Sequence, residues 1–387
     1  MARRVFVHVG APKTGSTYVQ NALWTNRYVL KRAGILLPGT PRAHDQAMAD
    51  LREVSWRDAG AAWTWDRLAA KARRWRGDVI ISNEGLGGAT QEQAARAVAS
   101  LQPAEVHIIV AARDLWRTFP SVWQQSVRSR RVWRFQTFMS AVERGNFDTF
   151  WEMHTAGRML RRWGDLVPAE RRHLVTVPPP GVPQDTLWQR FAGIIGIPDN
   201  LCVPEAPTSN TSLGAAEIEL LRRVNQALGD SYPHRRPYQS VVQRHLVDAV
   251  LKHSGNEVRF GVGPDQADWI IELAEQQIKD FQDYPCRIVG DLCELRPTLS
   301  DQSRCSPDEL DDGRVAEAAI AAIVGMLRHA ECLSAVADRS YEHVLARFKT
   351  RATRAVQHRL RRPPHRDQRL VAHRGHPAAI DDSLLPG

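Results

Sequence analysis

The sequence predicts an α/β protein, three layers built on a central parallel sheet, with a helical extension at the C-terminus. Three observations carry this. Residues 4–9, 78–82, 106–111 and 173–177 are short apolar runs without the alternation of a half-exposed strand, so they read as strands covered on both faces. Segments with helical spacing separate them, as the crossovers of a parallel sheet require. A Pro-, Ser- and Asp-rich stretch at 296–313 then gives way to a long helical pattern.

The first run, RVFVHV, ends at Gly10. From Thr14 the pattern turns helical, with Tyr18, Val19, Ala22 and Leu23 on one side. DVIIS at 78–82 is the second strand, and 92–101 reads as a helix. VHIIVA at 106–111 and HLVTV at 173–177 are the third and fourth strands. Residues 187–195 form a helix closed by Gly196. Residues 217–228, 240–253 and 265–281 are helical, and so is the Ala/Ile-rich segment 315–327. Residues 338–360 continue as a basic amphipathic helix with Val344, Phe348, Val356 and Leu360 apolar. The expected organisation is a catalytic domain at 1–295, a linker at 296–313, a helical extension at 314–362 and a disordered basic tail at 363–387.

A chain of 387 residues, 43% hydrophobic and 25% charged, buries a core without metal or disulfide staples. Its five cysteines are odd in number and form no CxxC pair, so neither a disulfide framework nor a zinc site is expected. No signal-type segment is present and no run of ~18 apolar residues is read, which gives a soluble, cytoplasmic expectation. The net charge of +9 is local. Residues 347–376 hold ten Arg or Lys against one acid, Asp367, so the body is neutral and a nucleic-acid partner is not expected.

Ligands of parallel sheets bind at the C-terminal strand ends, which points to three loops. After the first strand runs Gly10-Ala11-Pro12-Lys13-Thr14-Gly15-Ser16-Thr17. Glycines at both ends, hydroxyls on Thr14, Ser16 and Thr17, and a following helix N-terminus suit an anion, in a P-loop-like context. Ser16 stands where a Walker A loop carries its lysine, and the loop's lysine is Lys13; this weakens a nucleotide-kinase reading. The arrangement resembles the 5′-phosphosulfate loop of sulfotransferases that use 3′-phosphoadenosine 5′-phosphosulfate (PAPS). The resemblance implies that Lys13, Thr14, Gly15, Ser16 and Thr17 hold the co-substrate, that Lys13 stabilises the leaving phosphate, and that no metal is needed.

The third strand runs into Arg113-Asp114, with Ser121 eight residues after Arg113. Sulfotransferases have a similar Arg and Ser on the 3′-phosphate, matching a guanidinium fork and a hydroxyl donor. Pro120 is accommodated if Thr118 caps the helix and Ser121 falls in its first turn. The run RDLWRTFPSVWQ looks like bacterial sulfotransferases of actinobacterial type, as do Ser82-Asn83-Glu84 and Asn210-Thr211-Ser212-Leu213-Gly214; the resemblance spans about residues 3–285.

Two side chains are candidates for taking the acceptor's proton. Glu84 follows the second strand, and His44 lies after the first helix. Each also has a structural alternative, Glu84 as a cap or Arg partner and His44 as a loop residue. Asn210 and Ser212 are candidates to close over the nucleotide, with a plain helix cap at Ser212 as the alternative. Trp56, Trp63, Trp65 and Trp75 suggest core filler or an apolar acceptor pocket in 40–75. The expected activity is transfer of a sulfuryl group from PAPS to a hydroxyl or amine of a small-molecule, lipid or sugar acceptor. The alternatives are a P-loop nucleotide kinase, or a non-catalytic nucleotide- or nucleic-acid-binding protein using the basic tail. Segment 338–362 is read as a contact for a membrane surface, a partner or a second copy.

Overall fold

Six strands pair in parallel in the order β2-β3-β1-β4-β5-β6: β1 (Arg4–Gly10), β2 (Ile35–Leu36), β3 (Asp78–Ser82), β4 (Glu105–Ala112), β5 (Arg172–Thr176) and β6 (Arg287–Val289). The structure, a computed structural model, describes residues 1–58, 60–183, 185–204, 212–232, 237–254, 259–298 and 306–360, with backbone alone at 337–360. Among the described residues the α-helices that alternate with or follow the strands are α1 (Ser16–Thr25), α2 (Arg27–Arg32), α3 (Pro41–Leu51), α4 (Trp65–Arg74), α5 (Gln91–Ser100), α6 (Leu115–Arg128), α7 (Phe135–Glu143), α8 (Asp148–His154), α9 (Ala156–Gly164), α10 (Thr186–Ile195), α11 (Ala215–Leu228) and α12 (Ala267–Asp283). A longer one, α13, runs Asp312–Leu360.

Strand alternation explains the layers. Val5, Val7, Val9, Val79, Ile81, Ile108 and Val110 share one buried core with side chains of α3, α4, α5 and α9. Phe6, Ile80, Ile109 and Val175 point to the other face and pack with α1 and α10. A third apolar cluster lies apart from the sheet, where α6, α7 and α11 contribute Phe119, Trp123, Phe135, Phe138, Ile218 and Leu221. Burying both faces of each central strand is what produced the continuous apolar runs in the sequence.

The strand order creates a switch point. From β1 the chain moves toward β2 and β3; from β4 it moves the other way, to β5. The loops after β1 and β4 therefore part and leave a crevice above their adjacent carboxyl ends.

Some expectations change. Segment 240–253 is a π-helix at Tyr238–Asp248 followed by a 3₁₀ turn at Leu251–His253, not one α-helix. The stretch read as a linker is partly anchored, because the Asp308 carboxylate accepts from the Phe135 and Gln136 amides and caps α7. Segments 315–327 and 338–360 form one helix, α13. By contact the chain divides into Met1–Met326 and Leu327–Gly387. The reading that no segment reaches membrane-spanning length is also corrected: Asp312–Val336 is long and apolar enough by length and composition alone. The tail at 363–387 lies outside the described residues.

Candidate functional site

The loop after β1 is held in a conformation that L residues seldom adopt. Lys13 has φ 67° and Gly15 has φ 81°. A Cβ on Gly15 would stand 2.5 Å from Leu187 Cδ2, so both the backbone and the packing call for glycine there. Gly15 is the N-cap of α1 and gives it no side-chain cap. The first-turn amides at Ser16 and Thr17 thus lack helical acceptors and are available to an anion. Thr14 is buried, and its hydroxyl donates to the Ala11 carbonyl within the loop. It shapes the loop instead of offering the hydroxyl expected of it. Ser16 is buried and Thr17 exposed.

Arg113, at the end of β4, joins the two predicted anion motifs. Its Nη1 donates to the Lys13 carbonyl at 2.8 Å and lies 3.4 Å from Ser121 Oγ. The route to Ser121 differs from the sequence reading. Asp114, not Thr118, is the N-cap of α6, and its carboxylate accepts from the Arg117 amide at 2.9 Å. The Thr118 hydroxyl instead donates to the Asp114 carbonyl. Pro120 therefore lies inside the helix, and Ser121 sits in its second turn. One face of α6 then carries Ser121, Gln125 and Arg128 at helical spacing.

Gln125 was not singled out by the sequence, yet its Oε1 accepts from Lys13 Nζ at 3.0 Å. Burial lowers the Lys13 ammonium to about 8, and the positive charges of Arg128, Arg113 and Lys252 act in the same direction against the Glu84 carboxylate. Arg128 and Lys252 both pair with Asp248, at 3.2 and 2.8 Å. His154, also missed, ends α8. Burial first and Lys13 second lower its imidazole to about 4, so it is neutral. It shares the walls of a small void with Thr14 and Arg113. Spacing from Ser121 along α6 would have found Gln125 and Arg128; nothing local in the sequence marks Lys252 or His154.

Glu84 projects from a rigid turn after β3. Ser82 Oγ lies 2.8 Å from His8 Nδ1, and burial keeps that imidazole neutral, at about 4. Asn83 Nδ2 donates to Asp45 at 2.8 Å, while Asn83 Oδ1 accepts from the Gly85 amide at 2.8 Å. Gln20 Nε2, on α1, donates to Glu84 Oε2 at 2.8 Å. Glu84 is thus held against the second turn of α1, and its charge is felt at Lys13.

His44 sits differently from the expectation. It is buried, and burial lowers its imidazole below the usual histidine range. In the neutral form Nε2–H donates to the Pro38 carbonyl at 3.0 Å and Nδ1 accepts the Ser82 amide at 3.3 Å. Both nitrogens are committed to backbone, so His44 clamps the end of β3 and has no lone pair for an acceptor. Asn210 lies outside the described residues. Ser212 is exposed and does not cap α11, whose N-cap is Gly214. Its neighbour Leu213 accepts from Gln124 of α6 at 3.1 Å.

The tryptophans divide. Trp65 is core. Trp75 donates from Nε1 to the Gly34 carbonyl at 2.9 Å. Trp56 and Trp63 line a cavity of about 430 Å³ between α3 and the loop before α4, with Arg42, Asp45, Asp50 and Asp58. The cavity lies within the segment 40–75 and is mixed in character: Trp56, Trp63, Ala49 and Ala61 line it together with charged side chains. Asp45 links it to the Asn83–Glu84 turn.

No protein-family model, characterised protein or solved structure matches the chain. Its chemistry is read from the arrangement of its own groups.

Proposed function

We propose that the protein is a PAPS-dependent sulfotransferase with a P-loop-like co-substrate site. The observation that carries this is the junction at Arg113, which touches both the lysine-bearing loop after β1 and the Ser121 hydroxyl on α6. A nucleotide with phosphates at both its 5′ and 3′ ends needs two anion sites side by side. The convergence of Lys13, Arg113, Arg128 and Lys252 around them supports that reading.

The roles follow from the groups present. The amides at Ser16 and Thr17 and the turn at Gly15 hold the 5′-phosphosulfate. Arg113 and Ser121 hold the 3′-phosphate. Glu84 accepts the proton of an acceptor hydroxyl as its oxygen attacks sulfur. The bond from sulfur to the bridging phosphate oxygen breaks, and its electron pair stays on the phosphate. Lys13, protonated, stands against that charge. The proton ends on Glu84 and the sulfuryl group on the acceptor oxygen. The cavity beside Asp45, part aromatic and part charged, suits an acceptor with both an apolar face and hydroxyls, which its carboxylates can accept from. A nucleotide kinase is disfavoured, because Ser16 holds the place of the Walker lysine.

Incubation with PAPS labelled in the sulfuryl group, against saccharide and phenol acceptors, tests the proposal. Label on an acceptor, lost in Lys13→Ala, supports it. Transfer of the γ-phosphoryl group of ATP in place of the sulfuryl group overturns it.

A further inference from the structure

Most large apolar side chains that face solvent are scattered singly, but Ile320, Ile323, Val324, Leu327, Leu333 and Val336 crowd one segment of α13. This helix has two apolar sides. Val315, Ala318 and Ala322 are buried, and a Cβ on Gly325 would stand 2.4 Å from Val250 Cγ1, so that side is packed closely on the body. The opposite side carries Ile320, Ile323 and Leu327, which are 63%, 60% and 62% exposed. A helix apolar on both sides is normally covered on both.

The spacing of the uncovered row identifies what covers it. Ala316, Ile320, Ile323, Leu327, Ala330 and Ser334 are all exposed and follow one another by steps of four and three. The sequence keeps the same phase at Ala337, Tyr341, Val344 and Phe348, within a helix that runs to Leu360. Over ten successive positions Ser334 is the one hydroxyl-bearing aliphatic, and Arg351 ends the row. That is a seven-residue repeat, with Ile320, Ile323 and Leu327 in its first part and the small residues Ala330, Ser334 and Ala337 at its middle. Such a row drifts by about 20° per heptad on a straight helix, so it stays covered only against a second helix that coils with it. A flat lipid surface requires a row that does not drift. Continued straight from Ile320 and Leu327, the face meets Glu331, Asp338 and Glu342. The charges between 316 and 348 nearly cancel, with four acids against three arginines, so neither attraction to anionic lipid nor repulsion between copies dominates there.

We propose that α13 is a self-association helix, whose exposed row from Ala316 to Ser334 pairs with the same row of a second copy of this chain. The basic residues that follow are then brought together at the assembly without belonging to its seam. This inference is independent of the sulfotransferase reading, since none of these residues borders the anion site.

Light scattering coupled to size exclusion, on the full chain over a range of concentrations, tests it. At least twice the chain's mass is expected for the natural protein. Ile320→Glu/Ile323→Glu/Leu327→Glu should give a single-chain mass with unchanged circular dichroism. Ile320→Leu/Ile323→Leu, which preserves the repeat, should keep the assembled mass. A natural protein that stays at one chain's mass overturns the proposal, as does an assembly unaffected by the triple substitution. A single-chain protein that sediments with phosphatidylglycerol vesicles, and loses this in the triple variant, assigns the row to a membrane and also overturns it.

Discussion

Lys13→Met should make the protein more stable while abolishing the proposed sulfuryl transfer. In the native chain the ammonium releases its proton at about 8, against 10.5 for a free side chain. That difference corresponds to about 3 kcal/mol held against the folded state when the group is charged. The substitution also removes the charge-assisted bond from Lys13 Nζ to Gln125 Oε1, worth about 2 kcal/mol. The net expectation is a gain of about 1 kcal/mol at pH 7, read as a higher urea midpoint by tryptophan fluorescence. The sign with pH follows from which state binds more protons. Below about 8 both states carry the proton and the full penalty is present. As pH rises from 8 to 10.5 only the unfolded chain keeps it, and the penalty fades. The advantage of the variant should therefore shrink between pH 7 and pH 10. Equal or lower stability of Lys13→Met at pH 7, or a gain that does not change with pH, would refute the reasoning.

Four further outcomes are expected. Gly15→Ala combines a left-handed backbone with a Cβ 2.5 Å from Leu187 Cδ2, and should cost about 1–3 kcal/mol and at least tenfold in nucleotide affinity; adding Leu187→Ala should restore part of the stability. Glu84→Gln should lower sulfuryl transfer by about 10²-fold or more at unchanged nucleotide affinity. His44→Asn, by contrast, should lower the urea midpoint and leave the pH profile of transfer in place, since its nitrogens bind backbone. Asp78 is buried and accepts from both Arg3 and Arg4, which outweigh burial and hold its carboxyl below 3.8. Its contribution is present above 3.8 and lost as pH falls through the lower folded value, so Asp78→Asn should lower the urea midpoint at pH 7 and flatten that acid limb.

The central strands were legible because burial on two faces leaves one kind of sequence, an unbroken apolar run. β1, β4 and β5 fall within a residue or so of their predicted limits, and β3 matches at both ends. β2 has two residues and β6 has three, with Arg287 and Ile288 exposed, so neither could show a period. The start of α6 was misplaced because Pro120 was treated as a boundary. Asp114 caps the helix earlier, and tertiary packing of Trp116, Phe119 and Trp123 carries the proline inside it. At the site, the sequence order of Lys13, Glu84, Arg113 and Ser121 was enough to nominate them. It could not show that Arg113 binds the Lys13 carbonyl, since a hundred residues separate the two. Nor could it separate Glu84 from His44. That distinction lies in where the hydrogen bonds of His44 go, and it exists only once β3, α3 and Pro38 have come together.

The most direct test of the two-phosphate site is calorimetric titration with 3′-phosphoadenosine 5′-phosphate beside AMP, on the natural chain and on Arg113→Ala. The account predicts at least tenfold tighter binding of the bisphosphate, and a loss of that preference in Arg113→Ala with AMP affinity little changed. Equal affinity for the two nucleotides, or a preference that survives the substitution, would contradict it.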